Sequence, residues 1–137
     1  MKKRRSISGI GKSFIVIFSI AETFAHAFFG MLDLVFVLPI PIVAQAIGGA
    51  SAIMDVMVST TAVVVYTGFF AGLPGRLRSR FTVTLMLIGA QWFVSFIPEL
   101  GGIMALILMA TSTIRTVAFI RKVDAEDAEY NKKQMPA

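Results

Sequence analysis

Leu73 to Arg80 reads LPGRLRSR, which places three arginines within five residues, between two long apolar runs. Pro74 and Gly75 predict a break in helix at the start of this stretch, because proline lacks the amide donor and glycine tolerates the turn. Arg76, Arg78 and Arg80 alternate with Leu77 and Ser79 directly beside apolar sequence. Positive loops of this kind stay on the cytoplasmic side of a membrane, so the stretch sets the orientation of everything around it.

Outward from this loop the chain is apolar in blocks. Its 137 residues are 56% hydrophobic and 15% charged, with a mean hydropathy of +0.79, outside the usual range of a water-soluble domain. At roughly 20 apolar residues per crossing there is room for three or four helices. The first is expected from Phe14 to Leu38, ended by Pro39 and Pro41. The second is expected from Ala52 to Leu73, with Ile42 to Ala50 as the first turns of one longer helix. The third runs from Phe81 to Ile97, and the fourth from Ile103 to Ile120 after a turn over Pro98 to Gly102.

Five Lys and Arg residues lie in the N-terminal tail, three in the middle loop and five from Arg115 onward, with none in the other two connections. Four crossings with both termini cytoplasmic satisfy the positive-inside rule at every loop, and three would break it. The expected fold is an all-α membrane protein, a small four-helix transmembrane bundle. Residues 1–13 form a mobile basic cytoplasmic tail, 14–122 the transmembrane domain, and 123–137 a charged, frayed cytoplasmic tail. Ala25-His26-Ala27 has the small-x-small form that a signal peptidase reads, but apolar sequence continues to Leu38, so cleavage there would bisect one hydrophobic segment.

A net charge of +5 suggests nucleic acid in a soluble protein. Here the cations sit at the ends of apolar runs, which indicates orientation and anionic lipid instead. Arg76, Arg78, Arg80 and Arg115 are the expected headgroup contacts. The absence of cysteine excludes disulfides and thiolate metal sites, and a single histidine excludes a histidine-based metal cluster. No nucleophile elbow, zinc-protease motif, phosphate-binding loop or dinucleotide turn occurs, so neither an enzyme nor a cofactor is expected.

Lys12, Ser19, His26 and Asp33 recur every seventh residue, and Glu22 lies one turn before His26. This polar seam cannot face lipid; it packs against other helices or subunits, carries protons or cations, or marks an amphipathic segment lying on the membrane surface. Asp55, Ser59, Ala62 and Tyr66 share a face of the second helix, and Gly68 and Gly72 form a GxxxG spacing suited to close helix packing. Asp33, Asp55 and Glu99 could gather on the outer side for a cation, although helix-end positions explain each of them separately.

The expected function is that of a non-enzymatic inner-membrane subunit of a larger assembly, a homo-oligomer or a complex with other membrane subunits. A proton or cation pathway through Glu22, His26, Asp33 and Asp55 is the alternative. The plan of basic tail, short helices and charged end also resembles phage holins, which implies a membrane-lesion protein. A leader-like start and a basic loop between apolar helices is similar to conjugative pilins, which implies lipid-facing Arg76, Arg78 and Arg80.

Overall fold

The computed structural model describes residues 4–97 and 100–134, so Pro98 and Glu99 of the expected turn lie outside the described residues. The regular elements among the described residues are helices, with α1 over Gly9–Leu32, α2 over Pro41–Gly72, α3 over Gly75–Ser95 and α4 over Gly101–Gln134. Ser8 caps α1, its hydroxyl accepting the Gly11 amide at 3.0 Å. At its far end α1 widens into a π-helical turn over Asp33–Val37, closed by the Leu38 amide donating to the Asp33 carbonyl at 2.7 Å. Pro41 then opens α2 at a position where its missing amide costs nothing. The second helix is the long one expected, since the residues before Ser51 are its first turns.

Three of the four helices are long and apolar enough to cross a membrane: α1 with its π turn, α2 and α4. The 21 residues of α3 would reach about 31 Å at 1.5 Å per residue, but its first turns carry Arg76, Arg78 and Arg80. The arginine stretch is therefore helix and not loop. The break is confined to Leu73 and Pro74, and the Leu77 amide already donates to the Pro74 carbonyl at 2.9 Å. Proline's fixed φ favours a helix start, and Arg and Leu are good helix formers.

The N-terminal tail differs from the expected mobile end, and the C-terminal one is the solvated helix end expected, without a break after Ile120. Helix α4 continues unbroken to Gln134, because the sequence after Ile120 is rich in Ala, Glu, Lys and Arg. The segment before α1 is tied to it. Asp127 accepts the Ser6 amide and hydroxyl at 2.8 and 2.7 Å and the Arg4 guanidinium at 2.8 Å. Asn131 bonds both backbone groups of Arg4, and that guanidinium lies 4.2 Å from the Tyr130 ring.

Neighbouring helices run antiparallel, as paired contacts show: His26 with Asp55, Gln91 with Ser59, Arg80 with Glu126, and Lys12 with Asp124. All the arginine-bearing segments consequently lie at one end of the bundle, called here the basic end. On α3 the buried positions are Leu77, Phe81, Thr84, Ile88, Gln91 and Ser95, alternating steps of four and three as in supercoiled bundles. The burial is inverted relative to a water-soluble protein. His26 and Gln91 are fully buried, while Phe24 is 71% and Ile114 70% exposed. Lipid tails offer apolar side chains a surface but give polar ones no partner, so the polar face turns inward.

Helices α1 and α4 come closest near the end away from the arginines. A Cβ on Gly102 would lie 2.8 Å from the Gly30 Cα, and one on Gly30 would lie 3.0 Å from the Gly102 carbonyl carbon. Two glycines facing each other let the backbones touch.

Candidate functional site

The seam of α1 faces its own bundle. Because α2 runs antiparallel to α1, Asp33 meets Ser51, His26 meets Asp55 and Ser19 meets Tyr66, in descending order towards the basic end. Ser51 Oγ donates to Asp33 Oδ1 at 2.6 Å. His26 Nδ1 lies 2.9 Å from Asp55 Oδ1, and the opposite ring nitrogen, Nε2, lies 3.8 Å from Glu22 Oε2. The one imidazole of the chain is thus held between two carboxylates from two different helices. The Tyr66 hydroxyl bonds Ser19 and, at 3.2 Å, Thr116 of α4. Helix α3 contributes Gln91, whose amide donates to the Ser59 carbonyl at 2.9 Å.

This level of the bundle is under-satisfied. Among the described residues Glu22 Oε2, His26 Nε2, Asp55 Oδ2, Ser59 Oγ and Gln91 Oε1 are buried without a hydrogen-bond partner. A buried polar atom left so costs about 1–3 kcal/mol; Glu22, His26 and Asp55 adjoin through the contacts above, and Ser59, bonded by Gln91, lies one helical turn along α2 from Asp55. Two protons distributed over Glu22, His26 and Asp55 leave the cluster neutral; gaining or losing one leaves a net unit charge in an apolar surrounding, which low-dielectric media oppose strongly. The three residues therefore hold their protons as one unit.

The two directions out of it differ. Away from the basic end, Asp55 is one helical turn from Ser51, which holds Asp33, so polar groups continue. Towards the basic end the buried hydroxyls of Ser19, Tyr66, Ser112 and Thr116 carry the polar line one level further, and beyond them Ile15, Ala62, Leu77, Phe81 and Val123 are fully buried and close the bundle. The Phe81 ring lies 6.1 Å from Tyr66 and 5.1 Å from Phe119 between centroids.

The structure brings Glu22, His26 and Asp55 together and links Asp33 to them through Ser51. Glu99, the third carboxylate of the suggested cation site, lies outside the described residues. No group of three or more His, Cys, Asp or Glu residues able to hold a metal ion occurs among the described residues.

The remaining candidates fall elsewhere. Arg76 bonds the Ser6 hydroxyl and lies 4.0 Å from Asp127, Arg78 donates to the Ala71 carbonyl at 2.8 Å, and Arg80 grips Glu126 at 2.8 and 3.0 Å. Arg115 lines a cleft between α3 and α4. A Cβ on Gly68 or Gly72 would meet nothing within 4 Å, so within this chain the close approach is at Gly30 and Gly102 instead.

Beyond the apolar span, the hydrogen bond from Arg80 holds the Glu126 carboxyl below its ordinary value. Burial pushes the Asp127 carboxyl up, but the Ser6 amide and hydroxyl and Arg4 together outweigh it and hold it below its ordinary 3.8.

No protein-family model matches the chain, and neither a curated protein nor a solved structure matches it. The reading of the site rests on its geometry. Ser51 and Gln91 are the members that the polar stripes of the sequence did not identify. The signal for Gln91 was its spacing, seven residues from Thr84 and four from Ser95 on the inward face of α3.

Proposed function

We propose that this chain is a four-crossing membrane protein, with both termini cytoplasmic, that binds protons and hands them on at Glu22, His26 and Asp55. The observation that carries this reading is the fully buried His26 imidazole, with a carboxylate on each side and unpartnered atoms on all three residues. Imidazole suits the task because one ring nitrogen can accept a proton while the other releases one. The Nδ1 side is already at hydrogen-bond distance from Asp55. The Nε2 side needs Glu22 to swing in by about 1 Å to reach hydrogen-bond range. The direct His26–Asp55 contact leaves no room for a cation between them, which favours the proton over a metal ion.

Protons would arrive from the outer end, through Asp33, Ser51 and Asp55. Departure at the basic end requires the apolar closure around Phe81 to part, so the proposed device is gated rather than an open pore. Its chemistry is proton exchange alone, with no covalent step and no cofactor.

The test is an imposed pH gradient across liposomes containing the purified protein. The wild type is expected to dissipate it, and Glu22→Gln to stop the flux while leaving the helical signal and native mass unchanged, because the amide keeps the shape and loses the titration. Flux that survives both Glu22→Gln and His26→Phe would refute the proposal.

A second reading, as a subunit of a larger membrane assembly, is favoured by the bare helix surface at Gly68 and Gly72, where a helix of another chain could approach closely. A native mass above that of one chain, reduced by Gly68→Leu, is the expected result under that reading.

A further inference from the structure

A second feature lies at the basic end. Between α3 and α4 there is a cleft of about 340 Å³ lined by Arg80, Thr84, Arg115, Ala118, Phe119 and Lys122. Arg80 and Thr84 are one turn apart on α3, and Arg115 and Lys122 two turns apart on α4. Arg80 is fixed by Glu126 and stands over Phe119, its guanidinium 6.0 Å from the ring. Arg115 and Lys122 make no hydrogen bond or close ion pair among the described residues, Lys122 acting on Glu126 only through its charge. Thr84 is 2% exposed, and its hydroxyl has no partner among the described residues either. A hydroxyl free of protein partners therefore lines a cleft in which three cations face a single carboxylate, leaving two positive charges uncompensated.

Depth identifies the occupant. The apolar part of α4 ends near Ile120, so Arg115 sits about 7 Å inside that limit and Lys122 about 3 Å outside it, at 1.5 Å per residue. That interval is where phosphates of a bilayer lie, and the long stems of Arg115 and Lys122 allow both heads to reach it.

We propose that this cleft holds the phosphate of an anionic phospholipid, with Arg80, Arg115 and Lys122 supplying the charge and Thr84 a hydroxyl. The arginine stretch then divides its labour. Arg76 and Arg78 are occupied by Ser6, Asp127 and the Ala71 carbonyl, and Arg80 alone contributes to the lipid site.

The experiment titrates the detergent-solubilised full chain with phosphatidylglycerol and counts bound lipid by native mass spectrometry. Phosphatidylcholine and inorganic phosphate serve as the other arms, because a free phosphate offers the same chemistry as a headgroup. Each basic residue near a headgroup is worth about a fivefold change in affinity at low salt. Lys122→Gln should therefore weaken phosphatidylglycerol about fivefold, and Arg115→Gln with Lys122→Gln about thirtyfold. Arg76→Gln with Arg78→Gln should leave it within twofold. Arg115 and Lys122 are exposed, so the fold should survive, and an unchanged helical signal checks this. The assignment is overturned if phosphatidylcholine binds as well, if millimolar phosphate displaces the lipid, or if the Arg76/Arg78 variant loses as much as the Arg115/Lys122 variant.

Discussion

Replacing Asp55 by Leu removes the carboxylate 2.9 Å from His26 Nδ1 and leaves a wholly buried imidazole with no hydrogen-bond partner. Breaking one side of a buried charged pair costs about 3–5 kcal/mol, most of it from the stranded group. His26→Phe strands Asp55 in the same way and should cost a similar amount. Replacing both with apolar residues of comparable volume strands neither, and such exchanges are neutral to about 4 kcal/mol stabilising. The double variant should therefore be at least as stable as the wild type, giving a coupling energy of about 6 kcal/mol or more between the two sites. That is far beyond the roughly 0.5 kcal/mol within which independent sites add. Unfolding in mixed micelles of increasing dodecyl sulfate fraction, followed by circular dichroism, measures all four corners of the cycle. The double variant should also be without proton flux despite its stability. If the two single losses simply add, the imidazole and carboxylate are not coupled in the bilayer and the cluster does not exist as described.

Gly102→Ala should destabilise by about 1–3 kcal/mol, since its Cβ would lie 2.8 Å from a backbone atom of Gly30 that cannot move aside, whereas Gly68→Ala should be neutral or slightly stabilising; the same unfolding assay compares them. Because the Asp127 carboxyl is held below its ordinary 3.8, its contribution to docking the N-terminal arm is complete above that value and disappears only as pH falls through the lower one it has in the fold; a spin-label distance between Arg5 and Ala128, both exposed, should lengthen there and nowhere above. Asp127→Ala should lengthen that distance at neutral pH as well. Reporter fusions at Gly49 should report the outside and fusions after Ala137 the cytoplasm, and the reverse would overturn the orientation.

Much of this arrangement was legible in the sequence. The heptad recurrence of Ser19, His26 and Asp33 and the stripe of Asp55, Ser59 and Tyr66 identify two inward faces, because in lipid a polar residue has nowhere else to turn. The register between those faces was not legible. Which carboxylate meets His26 depends on the length of the turn at Pro39–Pro41 and on the π turn at Asp33–Val37, neither of which a pattern of hydrophobicity encodes. The GxxxG spacing pointed to Gly68 and Gly72, while the backbones touch at Gly30 and Gly102, glycines on separate helices that no local motif connects. The docked arm was hidden for a related reason. Asp127, in a tail that reads as solvated, finds Ser6 and Arg4 some 120 residues away, and only the closed bundle brings them together.

His26 is the sole histidine, so a chain labelled with ¹⁵N-histidine gives one imidazole signal, and its two ring-nitrogen shifts report the proton on each nitrogen directly. In bilayers taken from about pH 5 to about pH 9, which brackets an ordinary imidazole, these shifts are expected to change with pH, and Glu22→Gln is expected to alter that change. Ring-nitrogen shifts that stay constant over the whole range, in the wild type and in Glu22→Gln alike, would show that the buried cluster neither takes up nor releases a proton.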